Sequence, residues 1–326
     1  MVKINPKSEI RNPKQILNSK FKISNLTVYI GKLRLKNPVI AASGTFGPEY
    51  GELIDMDSLG AIIAKTITLK ARSGNPAPRV TETPSGMLNS IGLENKGLDD
   101  FLKNKLPELA KLKTKVIASI SGDDDREFAQ LARRLSKVKR VDALELNLSC
   151  PNLRGEGIIA QDEKAVYKIV KAVRKVTPLT VIAKLSPNVT DIAKIAKVSE
   201  EAGADAVSLV NTFLAMAVDI DTMKPALGNI TGGLSGPAIK PIALRMVWEA
   251  YNALKIPIIG MGGIMDWKDA VEFILSGAAA VEVGTANFVN PKTAVEIIGG
   301  IKKYMVKNKI GDIKELTGAL KDGLSA

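Results

Sequence analysis

The sequence predicts an α/β fold in which eight parallel strands close into a barrel, and three observations predict it. Short apolar, β-rich runs recur eight times along the 326 residues. Between them lie segments with apolar residues three and four apart, the period of a helix with one buried face. Aspartate stands near the start of several of these segments and glycine near several ends, as helix caps require. Strand and helix alternating eight times close as a (β/α)8 TIM barrel, with helices outside and functional loops at the C-terminal ends of the strands.

The eight strands are read as "PVIAAS" (38–43), "AIIAK" (61–65), "VIASI" (116–120), "ALELNLS" (143–149), "TVIAKLS" (180–186), "AVSLVN" (206–211), "PIIGMG" (257–262) and "AVEVG" (280–284). Segments such as "DREFAQLARRLSKV", "EKAVYKIVKAVRKV", "DIAKIAKVSEEAG" and "DWKDAVEFILSGA" are the helices between them. Ahead of the first strand, "LTVYIGKLRLKNP" (26–38) has two alternating arms around Gly31 and reads as a β-hairpin, either covering the barrel floor or adding an extra edge. Residues 1–22 read as a basic N-terminal tail without the apolar centre of a signal peptide, and 23–326 as a single barrel domain. The connections 66–115 and 212–256 are longer than a barrel needs and rich in Gly, Pro, Asn and Ser. They are expected to be long active-site loop insertions.

Composition narrows the function. A hydrophobic fraction of 45% with 25% charged residues is that of an ordinary globular protein, and no run approaches the roughly 18 uncharged apolar residues of a membrane span. One cysteine forms no internal disulfide, and a cytoplasmic location is expected. The excess of 46 Lys+Arg over 34 Asp+Glu favours anionic partners, but the lysines are spread along helix faces. Only 4% of residues are aromatic, so a base-stacking nucleic-acid surface is poorly supported.

Two glycine-bearing loops follow the last two strands, "GMGGI" (260–264) and "VGTANF" (283–288). Barrels bind phosphate there, because glycine lets backbone N–H groups approach the oxygens. Gly262, Gly263, Gly284 and Thr285 are therefore the candidate phosphate cradle. Other polar residues fall on the same rim: Ser43, Lys65, Asn147, Lys184, Asn211 and Thr212. Two lysines among uncharged amides suit a planar polar ligand that acquires negative charge, as a reduced flavin does. The only cysteine, Cys150, stands just past the fourth strand in "NLSCPN" in a chain without histidine. If the chemistry needs a base, the choices are Asp, Glu, Lys, Tyr or this thiol.

Over residues 35–305 the chain resembles the class 1 dihydroorotate dehydrogenases, and within them the B type. The resemblance rests on "ASGTFG" (42–47), "NPAPRVTETPSGMLNSIGLENKG" (75–97), "LELNLSCPN" (144–152), "KLSPNV" (184–189), "NT" (211–212), "GNITGGLSGPAIKPIALRMV" (228–247) and the two glycine loops. It implies oxidation of dihydroorotate to orotate on FMN in the barrel mouth, the redox step of pyrimidine biosynthesis. It also implies that Ser43, Lys65, Ser119, Asn147, Lys184, Val210, Gly236, Gly262, Gly263, Gly284 and Thr285 contact FMN. Lys65, Asn89, Ser90, Ile91, Gly92, Leu93, Asn147, Asn152, Asn211 and Thr212 would hold substrate. Among the possible bases the resemblance selects Cys150, which would take the proton from ring carbon 5 while a hydride leaves ring carbon 6; no metal is implied.

The sequence holds neither a GxGxxG dinucleotide unit nor a cysteine cluster for iron and sulfur. By resemblance, electrons pass to NAD through a second subunit carrying FAD and an iron–sulfur cluster, with the chain a homodimer inside a heterotetramer. A-type relatives instead reduce fumarate. Two other flavin barrels remain as alternatives. A dihydropyrimidine dehydrogenase-like enzyme would not need the carboxylate site expected at Lys65 and "NSIGL". A tRNA dihydrouridine synthase-like enzyme would use the positive charge, but needs an RNA-binding domain for which the roughly 40 residues after the eighth strand leave little room.

Overall fold

Strand after strand, the apolar runs are buried on both faces, and this is what closes the sheet. The structure, a computed structural model, describes residues 25–149 and 159–321; the tail 1–22, Cys150 and Asn152 lie outside them. A hairpin of β1 (Val28–Ile30) and β2 (Leu33–Leu35) comes first. The barrel begins with β3 (Val39–Ala41) and β4 (Ala61–Ile67), and β5 (Val80–Thr83) and β6 (Gly86–Asn89) stand outside it. β7 (Lys115–Ile120), β8 (Ala143–Asn147), β9 (Thr180–Lys184) and β10 (Ala206–Leu209) continue the barrel. Outside again are β11 (Phe213–Met216), β12 (Val218–Asp219), β13 (Lys224–Pro225) and β14 (Thr231–Ser235), before β15 (Ile258–Met261) and β16 (Ala278–Val283) complete the ring. The order β3-β4-β7-β8-β9-β10-β15-β16 is closed and parallel throughout.

Valine, isoleucine and leucine fill these strands because a parallel sheet covered by helices has no wet face. Ile63, Ile117, Leu144, Ile182, Val207, Ile259 and Val281 are all fully buried, and each contributes about 1.5–3 kcal/mol by leaving water. The surrounding helices bury one stripe each. Asp125–Leu135 turns Phe128, Leu131, Ala132 and Leu135 inward, the i, i+3, i+4, i+7 pattern read in the sequence. Asp124, Asp162, Asp191 and Asp266 each cap a helix by accepting backbone N–H bonds at its start. The alternation has one exception. Between β3 and β4 the chain makes two 3-10 turns, Pro48–Glu52 and Met56–Ser58, and no α-helix.

The hairpin lies over the barrel floor. A Cβ at Gly31 would fall 2.7 Å from Asp205 Cβ and 3.5 Å from Thr180 Cγ2, at the N-terminal ends of β10 and β9, and Gly31 has φ +56°. Val28, Ile30, Leu33 and Leu35 point inward while Tyr29 and Arg34 alternate outward. At the opposite end, the two long connections meet. β5, β6, β14 and β11 form one antiparallel sheet over the mouth, with Gly233 of β14 paired to both Asn89 of β6 and Leu214 of β11. No helix among the described residues is long and apolar enough to cross a membrane.

Candidate active site

Between the C-terminal ends of the barrel strands and the overhanging sheet lies a cavity of about 740 Å³, within the usual range of small-molecule sites. The glycine loops after β15 and β16 form one wall. Gly262 (φ +118°) and Gly263 (φ +77°) adopt left-handed backbone open only to glycine, and a Cβ on Gly263 would meet the Gly236 carbonyl oxygen at 2.8 Å. Gly284 and Thr285 sit beside them, and the Thr285 hydroxyl donates to Ser235 Oγ at 2.8 Å. Among the described residues, the amides of Gly262, Gly263, Gly284 and Thr285 donate to no carbonyl oxygen. All four residues line the cavity, which gathers amides without a carbonyl partner on one wall, the donor set an anion needs.

Polar side chains fill the remaining rim. Ser43 Oγ donates to the Ala64 carbonyl at 2.9 Å, so the loop after β3 is tied to β4. Asn147 ends β8, and its Oδ1 accepts from Ser149 N–H at 3.2 Å and Asn211 Nδ2 at 3.4 Å. Asn211 Oδ1 in turn accepts from Thr212 N–H at 2.8 Å. Val210, buried behind them, donates its N–H to Met261 O. The segment Asn89, Ser90, Ile91, Gly92 and Leu93 runs from β6 into the cavity. Asn75, which also lines the cavity, pins it by donating Nδ2 to Ser90 Oγ at 2.8 Å and its N–H to Ile91 O at 3.2 Å.

Two lysines meet the cavity in different surroundings. Lys65 on β4 is reached by solvent from the cavity but crowded by protein on its other sides. That desolvation pulls its pKa below the ordinary lysine value, and Glu94 opposes it only in part. No carboxylate among the described residues forms an ion pair with it, so an anionic ligand would find an uncompensated cation there. Lys184 on β9 is buried. Its Nζ lies 3.5 Å from Glu145 Oε2 and 3.3 Å from Glu282 Oε2. Burial pulls its pKa down, but the two carboxylates outweigh that and raise it.

Of the described candidates read from the sequence, only Ser119 stands apart. It is fully buried one layer below the rim, 2.9 Å from Thr66 Oγ1, and Thr66 rather than Ser119 borders the cavity. The sequence reading also missed residues that do line it. Arg72, bridged to Asp123, and Asn188, which holds Thr212 O at 3.1 Å, come from loops with no local signal of facing inward. The carboxylates Glu145 and Glu282, buried beneath the cavity, were missed as well, each a single charge inside an apolar strand run.

The family model for dihydroorotate dehydrogenase matches residues 25–305 of this chain. The chain belongs to the dihydroorotate dehydrogenase family. Three curated relatives bear the name dihydroorotate dehydrogenase B (NAD(+)), catalytic subunit. The protein of Desulforamulus reducens is 56% identical over 298 residues, 90% of this chain and 98% of the relative. That of Thermoanaerobacter sp. is 55% identical over 300 residues, 91% and 99%. That of Geobacter sulfurreducens is 52% identical over 299 residues, 91% and 98%. As a member of this family the chain is an FMN-dependent oxidoreductase. The donor set fits that cofactor: unpaired amides for a phosphate at one wall, and a buried cation, Lys184, at the base.

The two kinds of glycine in the cradle differ in a measurable way. Gly263→Ala, left-handed and crowded, is expected to cost about 1–3 kcal/mol of stability. Gly284→Ala, with no heavy atom nearer than 3.7 Å to the new Cβ, is expected to stay within about 0.5 kcal/mol. Urea titrations of the two variants beside the parent chain make the comparison, and equal losses would contradict it.

Proposed function

We propose that this chain oxidises dihydroorotate to orotate in pyrimidine biosynthesis, holding FMN in the mouth of the barrel and passing electrons to NAD through a partner subunit. The observation that carries this reading is the sharing of one cavity by an amide cradle, a cation at Lys65 without an ion-pair partner among the described residues, and a second cation at Lys184. The relatives' names support the acceptor and the partner, since those proteins are catalytic subunits acting with NAD. An electron-transfer subunit with FAD and an iron–sulfur cluster, a homodimer within a heterotetramer and a cytoplasmic setting complete the proposal.

In this reading FMN, when bound, accepts the hydride from ring carbon 6, and the chain's own residues do the rest. Gly262, Gly263, Gly284 and Thr285 take the phosphate through their amides, while Ser43, Val210 and Gly236 border the cofactor. Lys65 and the backbone of Ser90 to Leu93 receive the substrate carboxylate. Asn89, Asn147, Asn152, Asn211 and Thr212 match the alternating donors and acceptors of the pyrimidine edge. Lys184 stabilises negative charge that develops against it. Cys150 removes the proton from ring carbon 5; a thiol with a reference pKa near ~8.5 is partly ionised in mildly basic water. Support for Cys150 and Asn152 comes from the resemblance of "LELNLSCPN" alone.

The direct experiment is anaerobic mixing of the FMN-loaded chain with dihydroorotate. The flavin is expected to bleach, while NAD is not reduced until an electron-transfer subunit is added. Unbleached flavin would defeat the substrate assignment, and rapid NAD reduction by the chain alone would defeat the partner. Lys65→Ala should weaken orotate binding about 10- to 100-fold and uracil binding far less, because a hydrogen-bonded charge pair contributes about 1.5–3 kcal/mol. Equal losses would favour a dihydropyrimidine dehydrogenase-like substrate. Cys150→Ala should keep FMN bound and slow bleaching by about 10² or more, with Cys150→Ser exceeding it only at high pH. Bleaching by the alanine variant at the parent rate would place the base elsewhere.

A further inference from the structure

Below the cavity, three ionisable side chains meet in the barrel interior, and of these only Lys184 borders the cavity. Glu145 on β8 and Glu282 on β16 flank Lys184 on β9, and all three are buried. Two ionised carboxylates with one ammonium would leave a net negative charge in the core, which is costly without further donors. Their partners are unequal. Glu145 Oε1 also accepts the Ser208 hydroxyl at 2.9 Å, whereas Glu282 accepts from Lys184 Nζ at 3.3 Å and from no hydroxyl among the described residues. Glu145 Oε2 and Glu282 Oε1 are buried without a hydrogen-bond donor among the described residues. One proton on the poorer-solvated carboxyl removes the net charge and lets each acid serve the other.

We infer that Glu282 is a positioning residue that holds a proton: protonated, it leaves Lys184 with one counterion, so that Lys184 presents its charge to the cofactor cavity. When alkaline conditions have removed that proton, Glu282 recovers it as electrons arrive on the cofactor. The inference rests on the FMN reading above and deepens it. Burial, then the neighbouring Glu145 carboxylate, push the Glu282 pKa up to about 8, against the opposing pull of Lys184. The titratable groups facing it are those two alone among the described strands. The adjoining strands β3 (Val39–Ala41) and β15 (Ile258–Met261) carry no ionisable side chain, and neither does β10, which supplies Ser208. Negative charge added beside Lys184 makes an ionised Glu282 still less favourable, which drives the uptake.

The proton balance is definite. While Glu282 holds its proton, two-electron reduction of a bound flavin to a monoanion would take up one proton; where Glu282 is ionised beforehand, the same reduction would take up two, one at the flavin and one at the Glu282 carboxylate. Glu282→Gln keeps the shape and neutrality of the protonated acid but cannot ionise.

The test is the reduction potential of FMN bound to the parent chain and to Glu282→Gln, followed from pH 6 to 10. Near pH 7 the two are expected to agree. Above about pH 8 the parent should move toward two protons per two electrons while the variant stays at one. Parallel lines across the range would overturn the inference. A chain that takes up no FMN would overturn it together with the functional reading, and the flavin-free protein separates the two failures. There, a carboxyl whose folded pKa is raised contributes stability present below its unfolded value near 4.5 and lost as pH rises through about 8. The thermal midpoint of the parent should therefore fall relative to Glu282→Gln between about pH 5 and 8 and hold a constant gap above. Curves that run parallel throughout mean that Glu282 holds no such proton, which refutes the inference whatever the cofactor.

Discussion

A parallel strand whose two faces are both covered must pair on both of its edges, because an unpaired N–H buried under helices has no water to turn to. Closing β16 onto β3 meets that demand for all eight strands at once. The closure also fixes polarity. Every strand ends at the same rim, so Ser43, Lys65, Asn147, Lys184, Val210, Gly262 and Gly284, far apart in the chain, become neighbours without any loop having to reach across. The inner layer below inherits its position in the same way. Parallel register sets Lys184 beside both Asn147 and Ser208, and Glu145 beside Ser119.

That inner layer is where the described barrel strands bury their ionisable side chains. Buried ion clusters seldom add stability compared with apolar packing of the same volume. Their presence immediately under a ligand cavity makes sense as electrostatics aimed upward. Lys65 and Lys184 illustrate the range available to one residue type in one pocket. The first is depressed by crowding and forms no ion pair with a carboxylate among the described residues, the second raised by two carboxylates in spite of deeper burial.

What the sequence revealed follows from how local each signal is. Helices declared themselves through apolar spacing and aspartate caps, and the barrel strands through apolar runs bounded by glycine and proline. The glycine turn after β15 was legible because φ above zero at Gly262 and Gly263 demands glycine whatever the ligand. The sheet over the mouth was not. "VTET" and "TGGLS" are short, polar and half exposed, and the pairing of Asn89 with Gly233 spans more of the chain than any periodicity can report. Ser119 entered through the resemblance and not through any local signal, since a strand's alternation tells inside from outside but not depth, and it lies behind Thr66. Glu282 escaped notice because a lone acid in "AVEVG" looks like a strand residue turned to solvent until the barrel closes around it. Cys150 and Asn152, read from their motif, lie outside the described residues.

The sheet that roofs the cavity joins β6, from the connection after β4, to β14, from the connection after β10. Loops on a barrel rim are commonly regarded as interchangeable parts, each free to drift while the scaffold stands. Here two of them share a hydrogen-bonded ladder, so an insertion in one shifts the register of the other and moves Asn89 and its neighbours with it. Divergence toward new substrates in this lineage, or its imitation by recombination in the laboratory, has to exchange both segments as a matched pair.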